Sequence, residues 1–264
     1  MPGRARGTWE AIRAAAGDRE SGAAEIARRA AESLAVLPRR DLEAAARTLV
    51  RGHPSMAPLW RLATEVLGAR DHAAAATGFA RRMVAEAGAV AERAAERVAG
   101  PVVLHSSSGT AQAATLRAGG PALCATSEPG GEGLRAARRL ASAGMAAGVV
   151  EDAEARRLAA EGATVLVGAD AIGPGGVVNK AGTAALAAAG RCLVLAGTSK
   201  LLAEDLPAPA PFERTPLTAF AGIVTERETL TAVEAAAAAS AFPVHPALRA
   251  ELGTTERGGL RAGG

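Results

Sequence analysis

Tyrosine is absent from this 264-residue chain, and the aromatic residues reduce to Trp9, Trp60 and four phenylalanines. Single-stranded nucleic acids are held on aromatic stacking platforms, so the composition excludes a dedicated binder of that kind. The core must instead be filled by Ala, Val and Leu, with helices packed closely through Ala. Cysteine is almost as scarce. Cys124 and Cys192 lie in the apolar runs PALCAT and RCLVLAG, show no metal-ligand spacing and fit buried strands in a reducing compartment. No run of 18 apolar residues occurs, and the start MPGRARGTWEAIR has no apolar stretch typical of a signal peptide. A cytoplasmic protein with no membrane segment is the expectation. Charge of one sign is lacking too: 30 Lys+Arg stand against 27 Asp+Glu, interspersed rather than blocked, which disfavours dedicated nucleic-acid binding. GPGGVVNKAGT lacks Walker A spacing, no GxGxxG follows a strand, HSSSG is not a nucleophile elbow, and His53, His72, His105 and His245 form no HExxH. No cofactor and no metal are expected.

What is present is ordinary globular material, 49% hydrophobic and 22% charged, enough for one large domain or two small ones. From residue 8 to about 98 apolar residues recur at helical spacing. Ala23, Ile26, Ala27, Ala30, Ala31 and Leu34 make one stripe, and Leu42, Ala45, Ala46 and Leu49 another, with Asp41 as its expected N-cap. A long Ala-rich helix is expected from Asp71 to Val98. After Gly100-Pro101 the pattern becomes short apolar runs at 102–105, 122–125, 145–150, 164–169 and 192–197, each separated by a helix-length segment. Such alternation implies βαβ units and a parallel sheet covered on both faces. The fold expected is α/β: a helical N-terminal domain over 1–98, then a Rossmann-like, doubly wound sheet over 99–264.

Ligands of such sheets bind outside the carboxyl ends of the strands. His105-Ser106-Ser107-Ser108-Gly109-Thr110, Thr126-Ser127-Glu128, Glu151-Asp152, Asp170 and Thr198-Ser199-Lys200 all fall on that edge. The loop from Ser106 to Thr110 leads into a helix, where hydroxyls and free backbone N–H groups suit a phosphate; simple Ser capping is the alternative. Asp170 follows a strand of Val and Leu, and suits a general acid or base if burial raises its pKa, or else a cap or loop ion pair. Lys180, after Asn179, can hold a phosphate, polarise a carbonyl or stand in solvent.

The strings VLHSSSGTAQ, SEPGGEGLRAARRLASAGM, VLVGADAIGPGGVVNKAGTAALA and FERTPLTAFAGIVTERE resemble, in order, motifs of one family. It contains the alpha, beta and delta subunits of translation initiation factor 2B, methylthioribose-1-phosphate isomerase and ribose-1,5-bisphosphate isomerase. SGAAEIARRAAESL and HPSMAPLWR resemble its helical domain. The resemblance implies a homo-oligomer, dimer or higher, and a small phosphorylated ligand. In the isomerases, a loop cysteine and the aspartate of GAD move protons between C1 and C2 of a sugar phosphate. Asp170 matches the aspartate, and Asn179 and Lys180 match the pair that holds substrate. Ser106 stands where the cysteine is expected, His53-Pro54 where Arg-Pro is frequent, and Thr126-Ser127-Glu128-Pro129 where the family has Glu-Ser-Arg-Pro. A thiol with pKa near 8.5 shuttles protons at neutral pH and an unactivated serine hydroxyl does not. Three readings follow: an isomerase-like protein in which Ser106 and Asp170 face the reacting carbons and Ser107, Ser108, Gly109, Thr110, Asn179 and Lys180 bind substrate; a non-catalytic, ligand-sensing regulatory subunit; or a purely structural assembly subunit.

Overall fold

A computed structural model describes residues 2–253. Its first half is helical: α1 (Pro2–Gly17), α2 (Ala23–Val36), α3 (Leu42–Gly52), α4 (Ala57–Gly68) and α5 (His72–Ala95). The stripe on α2 buries Ile26, Ala27, Ala30, Ala31 and Leu34, and α3 buries Leu42, Ala45, Ala46 and Leu49. Asp71 caps α5 by accepting from the Ala74 N–H. Asp41 precedes α3 but makes no capping bond, because it ends a 3-10 turn in right-handed helical conformation and its side chain cannot fold back over the first turn.

The second half alternates: β1 (Val102–His105), α6 (Gly109–Ala118), β2 (Ala122–Ala125), α7 (Glu132–Ser142), β3 (Ala147–Val150), α8 (Asp152–Ala160), β4 (Thr164–Val167), β5 (Ala171–Gly173), β6 (Gly176–Lys180), α9 (Thr183–Ala189), β7 (Cys192–Leu195), β8 (Phe212–Thr215), β9 (Gly222–Val224), β10 (Thr229–Leu230), α10 (Ala232–Ser240) and α11 (Arg249–Leu252). Seven strands form one sheet in the order β10-β9-β7-β4-β1-β2-β3, parallel except for β10. The order runs outward in both directions from β1 and β4, so the crevice between their carboxyl ends is the topological switch point.

Strand residues alternate between two cores. Val102, Leu104, Leu166, Leu193 and Leu195 face α5, α6 and α7, whereas Val103, Val165, Val167, Cys192 and Val194 face α8, α9 and α10. Helix α5 thus belongs to both halves: Phe79 and Met83 pack in the helical core, and Val90, Ala91 and Ala94 cover the sheet.

Strands β5, β6 and β8 make a second, antiparallel sheet that the strand pattern did not announce. Its residues Ala171 and Val178 share a core with Ala46 and Val50 of α3 and with Ala57, Trp60 and Ala63 of α4. Trp60 is fully buried there and donates its Nε1–H to the Pro54 carbonyl, 3.1 Å away. The two halves are therefore joined through shared packing and not by the chain alone. Among the described residues, no helix is long and apolar enough to cross a membrane.

Candidate ligand site at the carboxyl edge of the sheet

The end of β1 is fixed by a relay. His105 is buried, which pushes its pKa down and keeps the ring neutral. Nε2 lies 3.0 Å from the Ala181 carbonyl and Nδ1 lies 3.1 Å from Ser127 Oγ. A neutral ring must donate to the Ala181 carbonyl, which leaves Nδ1 as an acceptor sharing the Ser127 hydroxyl with the Ala125 carbonyl, 2.9 Å from Oγ. Ser127 Oγ in turn accepts the Ser106 N–H at 2.7 Å. Ser106 and Ser127 have φ of 62° and 64° and are the two non-glycine residues with positive φ among those described. Such conformations are strained and persist where neighbours over-determine them, commonly at functional sites. Asp152 supplies that constraint, accepting the Ser127 N–H at 2.8 Å and the Glu128 N–H at 3.0 Å.

Beyond Ser106 the chain turns into α6. Ser108 caps it, its Oγ accepting the Ala111 N–H at 3.2 Å, and Ser107 Oγ lies 3.4 Å from Gln112 Nε2. The backbone N–H groups of Ser107, Ser108, Gly109 and Thr110 have no acceptor among the described residues. Both the capping and the anion-cradle geometries therefore coexist here. Gly168, after β4, is required for the approach: a Cβ at that position would lie 2.9 Å from Ser108 Cβ.

Asp170 follows directly. Its N–H donates to the Val178 carbonyl at 2.8 Å, and its carbonyl accepts the Ala57 N–H of α4 at 2.9 Å. Desolvation pushes the carboxyl pKa up to about 6 against the pull of Lys200. Lys200 donates to the Ala169 carbonyl; burial lowers its pKa, opposed by Asp170 and Glu86. Glu86, from α5, accepts the Ser199 N–H at 3.1 Å, and Glu226 accepts the Thr198 N–H at 3.0 Å and the Thr198 hydroxyl at 2.7 Å. The helical half thus reaches the sheet edge directly.

Asn179 and Lys180 end β6 and are buried. Asn179 Nδ2 donates to Thr183 Oγ1 at 2.9 Å, and that hydroxyl donates to the Lys180 carbonyl at 2.7 Å. The Lys180 ammonium donates to the Pro129 carbonyl and pairs with Glu132 Oε1 at 2.8 Å. His53 points elsewhere, its Nε2 lying 2.8 Å from the Ala15 carbonyl.

The carboxyl edge thus gathers the Ser106–Thr110 turn, the 126–132 loop, Asp170, the β6 end and Lys200. Ser127, Glu132 and Glu86 had no assigned role in the sequence, since each acts through a partner at least 20 residues away and no spacing pattern records such pairs. The described residues hold no cluster of three or more His, Cys, Asp and Glu side chains able to bind a metal ion.

No curated protein sequence matches this chain. Among solved structures it resembles a translation initiation factor 2B from Pyrococcus horikoshii OT3, at 28% identity and a TM-score of 0.74, over 84% of this chain and 96% of that one. The tetrameric beta2-delta2 complex of initiation factor 2B from C. thermophilum is similar at 16% identity and a TM-score of 0.70, over 87% of this chain and 92% of that one. The 5-methylthioribose 1-phosphate isomerase of Pyrococcus horikoshii OT3 shares the fold at 18% identity and a TM-score of 0.64, over 85% and 84% of the two chains. Residues 19–204 match the model of the initiation factor 2 subunit family, which spans both the helical bundle and the carboxyl edge just described, and the chain belongs to that family.

Proposed function

We propose that this chain binds a phosphorylated pentose or a close analogue at the carboxyl edge, with its phosphate on the unpaired N–H groups of Ser107 to Thr110. Asp170 faces the carbons from which the isomerases of the family move a proton. The observation that carries this reading is the α6 turn, whose unpaired N–H groups close on the end of β4 where Gly168 meets Ser108, two residues before Asp170 and beside the Lys200 ammonium on the Ala169 carbonyl; burial there raises the Asp170 carboxyl. A carboxyl with a pKa near neutrality exchanges protons efficiently at working pH. In an aldose-ketose step a base removes the C2 proton and returns a proton to C1, while the C2 hydroxyl proton passes to the C1 oxygen, so that C2 becomes the carbonyl and C1 the alcohol. Asp170 can serve one side of that exchange. Ser106, at the expected cysteine position, supplies a hydrogen bond but no group that ionises near pH 7.

The wild-type protein is expected to be stabilised by ribose 5-phosphate or methylthioribose 1-phosphate, since a ligand adds RT ln(1 + [L]/Kd) to stability. It should isomerise them little. Ser106→Cys should gain turnover, and Asp170→Asn in that background should abolish it, a loss of about 10²- to 10⁴-fold for a general acid or base. Absence of any ligand-dependent melting shift would refute the binding reading. A folded, ligand-binding Ser106→Cys protein without turnover would favour the regulatory reading, to which the engagement of Lys180 by Glu132 also lends support. We further propose a homo-oligomeric, cytoplasmic protein. Light scattering that gave a mass near the 26.3 kDa of one chain at micromolar concentration would refute the oligomer.

A further inference from the structure

We infer that Glu132 sets the ligand class of this site, rejecting a second phosphate at Lys180 and selecting a hydroxyl there, so that the site takes sugar monophosphates and excludes bisphosphates. This rests on the reading that the carboxyl edge binds a phosphorylated ligand. Lys180 and Glu132 are separated by 48 residues, yet their side chains meet at 2.8 Å and are only 4% and 19% exposed. The loop is shaped to bring the carboxylate there. Gly130 has φ of +119°, and a Cβ on it would lie 2.8 Å from Glu132 Oε1; Gly131 is also left-handed, with φ of +61°. Glu132 opens α7, where the helix dipole favours a negative charge.

Two consequences follow for any group that reaches Lys180. The ammonium charge is already balanced by one carboxylate oxygen, so a phosphate arriving there would meet net repulsion from Glu132 instead of an unpaired cation. The other carboxylate oxygen, Glu132 Oε2, is buried with no hydrogen-bond partner. A buried acceptor left unsatisfied is costly and calls for a donor. A phosphate dianion brings only acceptors, whereas a sugar hydroxyl can donate to Oε2 and accept from Lys180 at once. The unpaired N–H groups of the α6 turn, by contrast, have no acceptor among the described residues and are left for the phosphate.

The test compares ribose 5-phosphate with ribose 1,5-bisphosphate by calorimetry on the wild-type protein and Glu132→Gln, with inorganic phosphate as a probe of the cradle alone. Wild type is expected to bind the monophosphate at least tenfold more tightly than the bisphosphate, and Glu132→Gln to lose that preference. Equal wild-type affinities for the two sugars would overturn the role of Glu132 while leaving the ligand site intact. Binding of neither sugar nor phosphate by wild type would overturn the site reading and this inference with it. Should Glu132→Gln fail to fold, the wild-type ratio of the two sugars still decides.

Discussion

Asp170 offers a sharp test of the electrostatic argument. Burial raises its carboxyl from the ordinary 3.8 to about 6. With about 1.4 kcal/mol per pKa unit, ionising this group costs the folded protein up to about 3 kcal/mol relative to the unfolded chain. The cost is fully present above the folded pKa, about 6, and absent below 3.8, where both states hold the neutral acid. Stability from this residue is therefore lost as the pH rises through that window. Asn carries no charge at any pH, so Asp170→Asn removes the slope and should stabilise the protein at pH near 7.5. That figure is already net of the attraction to Lys200. Asp170 keeps partial solvent exposure, and allowing half for screening leaves about 1.5 kcal/mol, or about 3 to 6 °C in melting temperature for a chain of this size. Thermal melts of both proteins at pH 4.5 and 7.5 measure it. The difference should shrink or reverse at the lower pH. A variant less stable than wild type at pH 7.5, or a difference that does not change with pH, would refute the assignment of a desolvated carboxyl.

Glu251 is buried on α11 and pairs with Arg47 at 2.9 Å and Arg51 at 2.6 Å, both from α3; Glu251→Gln should destabilise by about 2 kcal/mol, read from urea midpoints. Gly133→Ala places a Cβ 1.9 Å from the Ala125 carbonyl oxygen, a backbone atom that cannot step aside, so a melting point unchanged within about 1 °C would contradict the packing of α7 on β2. Trp60→Ala should cost about 3 to 5 kcal/mol and, because the cavity opens beside β5 and β6, should weaken ligand-dependent stabilisation as well as the melting point.

Five strands of the main sheet were legible, four of them, at 102–105, 122–125, 164–167 and 192–195, as mostly apolar runs that signal burial on both faces, whereas β9 and β10, three and two residues long, are too short to stand out. The small sheet was not legible either. Residues 171–180 read AIGPGGVVNK, in which the glycines and the proline resemble a loop, and the third strand follows only at Phe212 after a helix and a strand of the main sheet intervene. Ser106, Asp170 and Lys200 could be placed on the carboxyl edge because they follow parallel strands β1, β4 and β7; Asn179 and Lys180, on the small sheet, stood out only through the glycine-flanked helix start that follows them and the family resemblance. Their partners were hidden: the Lys180–Glu132 pair and the Glu86 clasp on Ser199 join loops to helices across 48 and 113 residues. Nothing in a linear pattern records which side chains meet there. The cap expected from Asp41 failed for a local reason, the 3-10 turn ahead of α3.

The bond from the Ala57 N–H to the Asp170 carbonyl means that the working edge of the sheet is braced from outside the sheet. With Glu86 holding Ser199 at the end of the neighbouring strand β7, the helical half is fastened to the β4–β7 side of the crevice at two points. A fragment beginning at residue 99 would retain every strand and every loop named above, yet would leave the Asp170 carbonyl and the Ser199 amide without their partners. The position of the acid group and of its neighbour Lys200 is thus set in part by two contacts that originate in the helical half, at Ala57 and at Glu86.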